Sequence, residues 1–233
     1  MKGTFVAVIL FSAFALVVGC EDDPTTPPSG NSAKLLPLTT REAVVNNIEV
    51  AWNQRKPGAI DDLLDENYTF YFAPGDVGGG IPPSWDRATD LAATTALLQS
   101  NTVPPTPPAP VCRQVAVDLD LDGLTWTETP VAASASTPAE IWYTTTVSYT
   151  FTFEMEPDQT YIAVPGSKAQ FKVREVEGGW RLVEWRDLGG NTAATASEAG
   201  ESPTWGKVKS VYDESLASSG AKTWGSIRTL YRN

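Results

Sequence analysis

The chain of 233 residues contains no histidine. That removes the commonest general base and the commonest transition-metal ligand. A Ser-His-Asp or Cys-His mechanism is excluded within this chain. Cysteine is nearly as scarce, with Cys20 and Cys112 alone. Positive charge is in deficit: 17 Lys and Arg face 28 Asp and Glu, a net charge of −11. Such a surface repels nucleic acid and anionic headgroups, so no nucleic-acid partner is expected. The longest apolar stretch, residues 5–18, falls short of the roughly 20 residues that span a bilayer. No cofactor motif is present.

What is there begins with residues 1–19: one lysine, then an apolar stretch, then small residues. This reads as a signal peptide. Its end, Val17-Val18-Gly19-Cys20, looks like a bacterial lipobox, in which the cysteine sulfur receives diacylglycerol. Cys20 is the expected lipid attachment point, and more than one acyl chain anchors stably where a single chain does not. The expected location is the cell envelope, facing the periplasm or the cell surface. The membrane is then a partner through the lipid. Once Cys20 is lipidated, Cys112 is the one thiol left, which rules out a disulfide framework in the monomer. With no histidine to activate it, Cys112 reads as a buried, inert strand residue.

Residues 20–37 are acidic, then rich in Pro, Thr and Ser, as in a disordered tether. A domain is expected over 38–190, and a linker with two short amphipathic helices over 191–233. Thr39 and Glu42 have the spacing of a capping box. Val44, Ile48, Ala51 and Trp52 follow on one helical face. Pro57-Gly58 breaks that helix, and residues 59–64 suit a short second one. Residues 67–73 alternate as a strand. Ser84 can cap a third helix to about Ser100, with Ala88, Leu91, Thr95 and Leu98 inward. Residues 103–110 hold five prolines and read as an extended loop.

Four strands are expected next, over 111–121, 141–155, 161–176 (bent, and interrupted by Pro165-Gly166) and 180–188. The second is the clearest. Ile141, Tyr143, Val147, Tyr149, Phe151, Phe153 and Met155 share one face, while Trp142, Thr144, Thr146, Ser148, Thr150 and Thr152 share the other. The tail repeats itself: Thr204-Trp205-Gly206-Lys207-Val208-Lys209-Ser210-Val211-Tyr212 returns as Thr223-Trp224-Gly225-Ser226-Ile227-Arg228-Thr229-Leu230-Tyr231. Two copies are too few for a solenoid. They read as short helices that either dock on the domain or bind a partner.

This order of elements is α+β. Ala51-Trp52 closing the first helix, Asp65-Glu66-Asn67-Tyr68-Thr69-Phe70-Tyr71-Phe72, and the closing Trp180-Arg181-Leu182-Val183-Glu184-Trp185-Arg186-Asp187 resemble the nuclear transport factor 2-like superfamily, including its SnoaL-like branch. The resemblance implies a cone-shaped, curved antiparallel sheet wrapped around a long N-terminal helix, with two further short helices and a C-terminal helical tail. It also implies a pocket and frequent homodimers through the sheet. Its function is open, since that superfamily holds both enzymes and binding modules.

Members that use histidine are no guide here. Carboxylate-and-tyrosine chemistry, as in ketosteroid isomerase, stays available. The candidate catalytic residues are Asp187, Glu184, Tyr71 and Tyr149. Asp76 and Asp86 are further candidate carboxylates, and Tyr68 and Tyr143 further candidate donors. Asp76 and Asp86 read as solvated loop residues, and Asp187 as an ion-pair or turn residue beside Arg186. Pocket candidates are Trp52, Tyr68, Tyr71, Trp85, Tyr149 and Trp185, which would suit a small apolar ligand or a peptide. Asp118, Asp120 and Asp122 are weak Ca²⁺ candidates, because the twelfth loop position is Thr129 where a bidentate glutamate belongs. A solvated strand end is the plainer reading. The sequence leans toward a lipid-anchored, non-catalytic binding module. The alternative is an isomerase, dehydratase or hydrolase working with a carboxylate and a tyrosine.

Overall fold

A computed structural model describes residues 33–78, 80–103, 111–133, 139–156, 159–162, 167–189 and 209–210. The expected signal segment, Cys20, most of the tether, the proline-rich loop and most of the repeated tail lie outside the described residues. Among the described residues, no helix is long and apolar enough to cross a membrane.

Helix α1 spans Arg41–Asn53. Its cap is Thr40, one residue after the expected Thr39, and the Thr40 hydroxyl accepts the Ala43 N–H at 3.2 Å. Val44, Ile48, Ala51 and Trp52 are buried as their spacing predicts. Val45, Asn47 and Val50 are buried too, so protein covers more of the helix than one stripe. Asn47 clasps the incoming chain, accepting the Leu36 N–H and donating to the Leu36 carbonyl, both at 2.8 Å.

The expected long first helix is a correction: α1 has 13 residues, the same length as α3. It stops because Arg55 takes a left-handed φ of 54° just ahead of Pro57. A non-glycine residue pays for that backbone with local strain. The Arg55 guanidinium holds the turn by donating to the carbonyls of Leu98 and Arg113.

Helix α2 spans Pro57–Leu63 and runs straight into β1, Leu64–Tyr71. A short strand β2, Ser84–Asp86, precedes α3, Arg87–Gln99. Asp86, and not Ser84, caps α3, accepting the Thr89 N–H at 2.8 Å. The buried face of α3 is Asp90, Ala93, Thr94, Leu97 and Leu98. Of the four residues expected inward, Leu98 is buried, Leu91 and Thr95 are half-buried, and Ala88 is exposed. The apolar count failed because the true inward face carries an acid and a threonine.

Six further strands are described in the predicted region, two more than expected. The first five are β3 (Cys112–Leu119), β4 (Thr127–Val131), β5 (Glu140–Met155), β6 (Gln159–Ile162) and β7 (Lys168–Val176). The sixth, last among the described residues, is β8, Gly179–Gly189. The stretch 161–176, expected as a bent strand interrupted at Pro165-Gly166, is β6 and β7. The strand β4 was unforeseen because its residues Thr127–Val131 are mostly exposed and carry no alternation.

The sheet runs β2-β1-β8-β7-β5-β3, with β4 and β6 also on β5. Most neighbours are antiparallel, but β1 and β8 pair in parallel, which corrects the wholly antiparallel expectation. Parallel neighbours need a long crossover. Here everything between β1 and β8 is that connection. The strand β5 changes partner midway: residues 142–148 pair with β7 and residues 149–155 with β3. That exchange lets one long strand serve both parts of a curved sheet.

The core lies between the helices and the inward face of the sheet. Phe70, Phe72, Val147, Tyr149, Phe151, Phe153, Met155, Phe171 and Trp185 are all buried there. The β5 alternation holds from Val147 to Met155, whereas Ile141 at its start is exposed. Cys112 is a free, buried thiol on β3. Burial pushes its pKa up to about 11.

Candidate functional site

Three elements bring the site together. Strand β1 alternates, so Tyr68, Phe70 and Phe72 point inward and Tyr71 points outward. Strand β8 places Trp185 and Asp187 inward. Helix α3 presents Asp90 and Thr94 on the face that covers them. A fourth contribution comes from far along the chain: Lys209, whose backbone is helical, is fully buried.

The Lys209 ammonium donates to Asp90 Oδ1 at 2.5 Å. It lies 3.5 Å from the centre of the Phe70 ring and 5.1 Å from that of Trp185. The other oxygen of Asp90 accepts the Tyr68 hydroxyl at 3.1 Å. A second pair stands on the same inward face: the Tyr149 hydroxyl donates to Asp187 Oδ1 at 3.1 Å, and that oxygen also accepts the Gly189 N–H. Asp187 also acts electrostatically on Lys209. A residual cavity of about 10 Å³, room for one water, is bounded by Trp52, Tyr68, Asp90, Thr94, Trp185 and neighbouring aliphatic residues. The Thr94 hydroxyl on its wall is buried and has no partner among the described residues.

Electrostatics follow from burial. Desolvation pushes the Lys209 ammonium below the usual lysine range, against the opposing pull of Asp90 and Asp187. Desolvation also pushes the Tyr68 phenol well above its usual range, and the Asp90 charge adds to that. Tyr68 is therefore a firm donor. Both oxygens of Asp90 are engaged, one by Tyr68 and one by Lys209. In this arrangement Asp90 is a partner for a cation and has no oxygen turned to a substrate proton.

The expected site residues divide between the two faces of the sheet. Tyr149 and Asp187 meet as a hydrogen-bonded pair on the inward face. Trp52, Tyr68 and Trp185 line the cavity. Trp85 is buried against Phe70 and Phe72. Tyr71 and Glu184 are on the other face, which is a correction to grouping them with Asp187 and Tyr149. There Glu184 binds Lys172 and Arg186, each at 3.0 Å, and Arg186 stacks 4.0 Å over Tyr71. Of the two expectations for Asp187, the turn hydrogen bond is present, from the Gly189 N–H, while Arg186 pairs with Glu184 and not with Asp187. A strand alternates, so adjacent residues of β8 cannot serve one face.

The remaining candidates are elsewhere. Asp86 caps α3, and Asp76 is half-buried in the loop after β1. Tyr143 packs on Trp180 and under Arg41. Asp118, Asp120 and Asp122 are exposed at the end of β3. Among the described residues, no group of acids, cysteines or histidines is placed to hold a metal ion.

Asp90, Thr94 and Lys209 are the residues that sequence reasoning missed. A signal existed. Asp90, Ala93, Thr94 and Leu97 stand at i, i+3, i+4 and i+7, the spacing of one helical face. Trp205, Val208, Lys209 and Tyr212 stand at the same spacing. A lone acid on one apolar face and a lone base on another are complementary.

No family model matches this chain, and no curated protein does. Solved structures similar to it do exist. One is a nuclear transport factor 2-like superfamily protein from Salmonella enterica, 10% identical, covering 66% of this chain and 91% of that one, with a TM-score of 0.42. Another is a hexachlorocyclohexane dehydrochlorinase from Novosphingobium barchaimii, 8% identical, covering 61% and 79%, with a TM-score of 0.38. A third is a protein of unknown function from Mycobacterium tuberculosis, 13% identical, covering 82% and 89%, with a TM-score of 0.44. The superfamily that the sequence resembles is thus also found among its structural neighbours. Likenesses this distant carry no argument about what this chain does.

Proposed function

We propose that this chain is a lipid-anchored module of the bacterial cell envelope, tethered through Cys20, whose internal site binds and does not catalyse. The observation that carries the reading is the Lys209 ammonium seated on Asp90 in the middle of the site. The chain supplies its own occupant there. The cavity beside Asp90 has room for a water and not for a substrate. Binding then means exchange: the tail segment leaves and a small molecule or a peptide enters. The outward face of the sheet, with its Lys172–Glu184–Arg186 ladder, is the surface for a possible homodimer.

Native-state hydrogen exchange on the intact chain tests this. The segment around Lys209 should open at lower free energy than β5 and β8, as a locally unfolding unit does. Exchange of that segment only through global unfolding makes Lys209 a fixed part of the core and removes the reading.

A second reading has its own support. Tyr68–Asp90 and Tyr149–Asp187 are two tyrosine–carboxylate pairs in one interior. An isomerase, dehydratase or hydrolase would need such groups. It would also need Lys209 out of the way, so turnover by a chain truncated before Thr204, absent from the full chain, would favour it.

A further inference from the structure

We infer that the site is a receptor for a primary ammonium on an apolar stem, and that Lys209 stands where such a ligand binds. This rests on the reading of an exchangeable tail and names the ligand class. The walls are independent of the tail. Phe70 belongs to β1, Asp90 and Thr94 to α3, and Trp185 to β8, while the cation arrives from a residue 119 positions beyond Asp90.

The chemistry of those walls selects the ligand. Asp90 supplies a carboxylate oxygen, which calls for a hydrogen-bond donor and favours a charged one. The face of Phe70 at 3.5 Å and Trp185 at 5.1 Å favour a cation over a neutral group of the same shape. Asp187, buried on the same inward face, adds a second negative charge that acts on the same nitrogen. Thr94 offers a buried hydroxyl with no partner among the described residues, on the wall of the adjoining cavity. A quaternary ammonium satisfies the rings but has no proton for Asp90. An alcohol can donate but carries no charge to offset that of Asp90. A primary ammonium meets all of these demands, and an unbranched stem follows the path of the lysine methylenes.

The test uses the full chain carrying Lys209→Ala, which empties the site without touching its walls. The probes are n-butylammonium, n-butyltrimethylammonium and n-butanol, read by calorimetry and by the shift in melting temperature. Butylammonium should bind saturably and raise the melting temperature. The other two should bind at least about tenfold more weakly, the factor for losing one charge-assisted hydrogen bond. Adding Asp90→Asn should abolish the preference for the ammonium. A folded Lys209→Ala chain that gives no saturable heat with butylammonium, or binds butanol equally well, overturns the inference. Should Lys209→Ala not fold, recovery of its circular dichroism by butylammonium alone supports the inference, and failure to recover overturns it. Failure of the exchangeable-tail reading looks different: butylammonium binds Lys209→Ala, yet the wild-type segment exchanges hydrogen only on global unfolding.

Discussion

Lys209 and Asp90 form a fully enclosed ion pair at 2.5 Å, with the ring of Phe70 3.5 Å from the ammonium. Removing one member of such a pair is worse than removing both, because a lone buried charge is left behind. Lys209→Met should therefore destabilise the chain by about 3 kcal/mol. The double variant Asp90→Leu/Lys209→Met should sit nearer to wild type than that single variant. Urea midpoints measure both. A double variant whose loss equals the sum of the two single losses would show that the two residues do not act as a pair.

Cys112 gives a pH signature. Its folded pKa is raised by burial from 9.0 to about 11. A raised folded pKa means that below pH 9 its contribution to stability is fully present. Between pH 9 and about 11 the unfolded chain releases a proton that the folded chain keeps, so stability falls as pH rises. The loss from this group reaches about 2 kcal/mol by pH 11. Wild type and Cys112→Ala, compared by urea unfolding at pH 8 and pH 11, isolate it. A wild-type drop no larger than that of the variant contradicts the assignment.

Arg174 ties three strands. It forks onto Asp65 of β1 at 2.8 and 2.9 Å and reaches Glu140 of β5 at 2.8 Å. Trp142 donates to the same Glu140, and that bond, with Arg174, holds the Glu140 carboxyl below its usual pKa. Asp65 is buried, so Arg174→Met should cost about 3–5 kcal/mol. Arg174→Lys should recover little of it, because a point charge cannot reproduce the planar fork. Thermal unfolding of the two variants checks the order. Equal stability of Arg174→Lys and wild type would show that charge alone matters there.

The lipid anchor has a direct assay. Cells expressing the wild-type chain should incorporate labelled palmitate into it, and Cys20→Ser should not. Equal labelling of the two would remove the anchor from the proposal.

Much of the fold was legible because its signals are local. Val44, Ile48, Ala51 and Trp52 stand at helical spacing, and all four are buried. The β5 alternation from Val147 to Met155 is the inward face. The errors share a cause. Thr40 took the cap from Thr39 because either side chain can cap, and only the path of the incoming chain decides between them. The strand β4 pairs with β5 while showing the sequence no apolar face. Tyr71 and Glu184 stood with Asp187 only until strand parity put them on the other side.

The sequence by itself determined which chemistry is open. The absence of histidine excludes imidazole catalysis whatever the fold. The alternation of β1 put Tyr68 and Phe70 on one face of that strand, and the alternation of β8 put Trp185 and Asp187 on one face of the other. The helical spacings of Asp90 and Lys209 put each on an apolar face. Only the tertiary structure decided that Asp90 and Lys209 meet. Burial away from water requires every charge to find its opposite, and no periodicity within one segment can say which distant segment brings it. The same limit applies to the parallel pairing of β1 with β8, which joins strands more than a hundred residues apart in sequence.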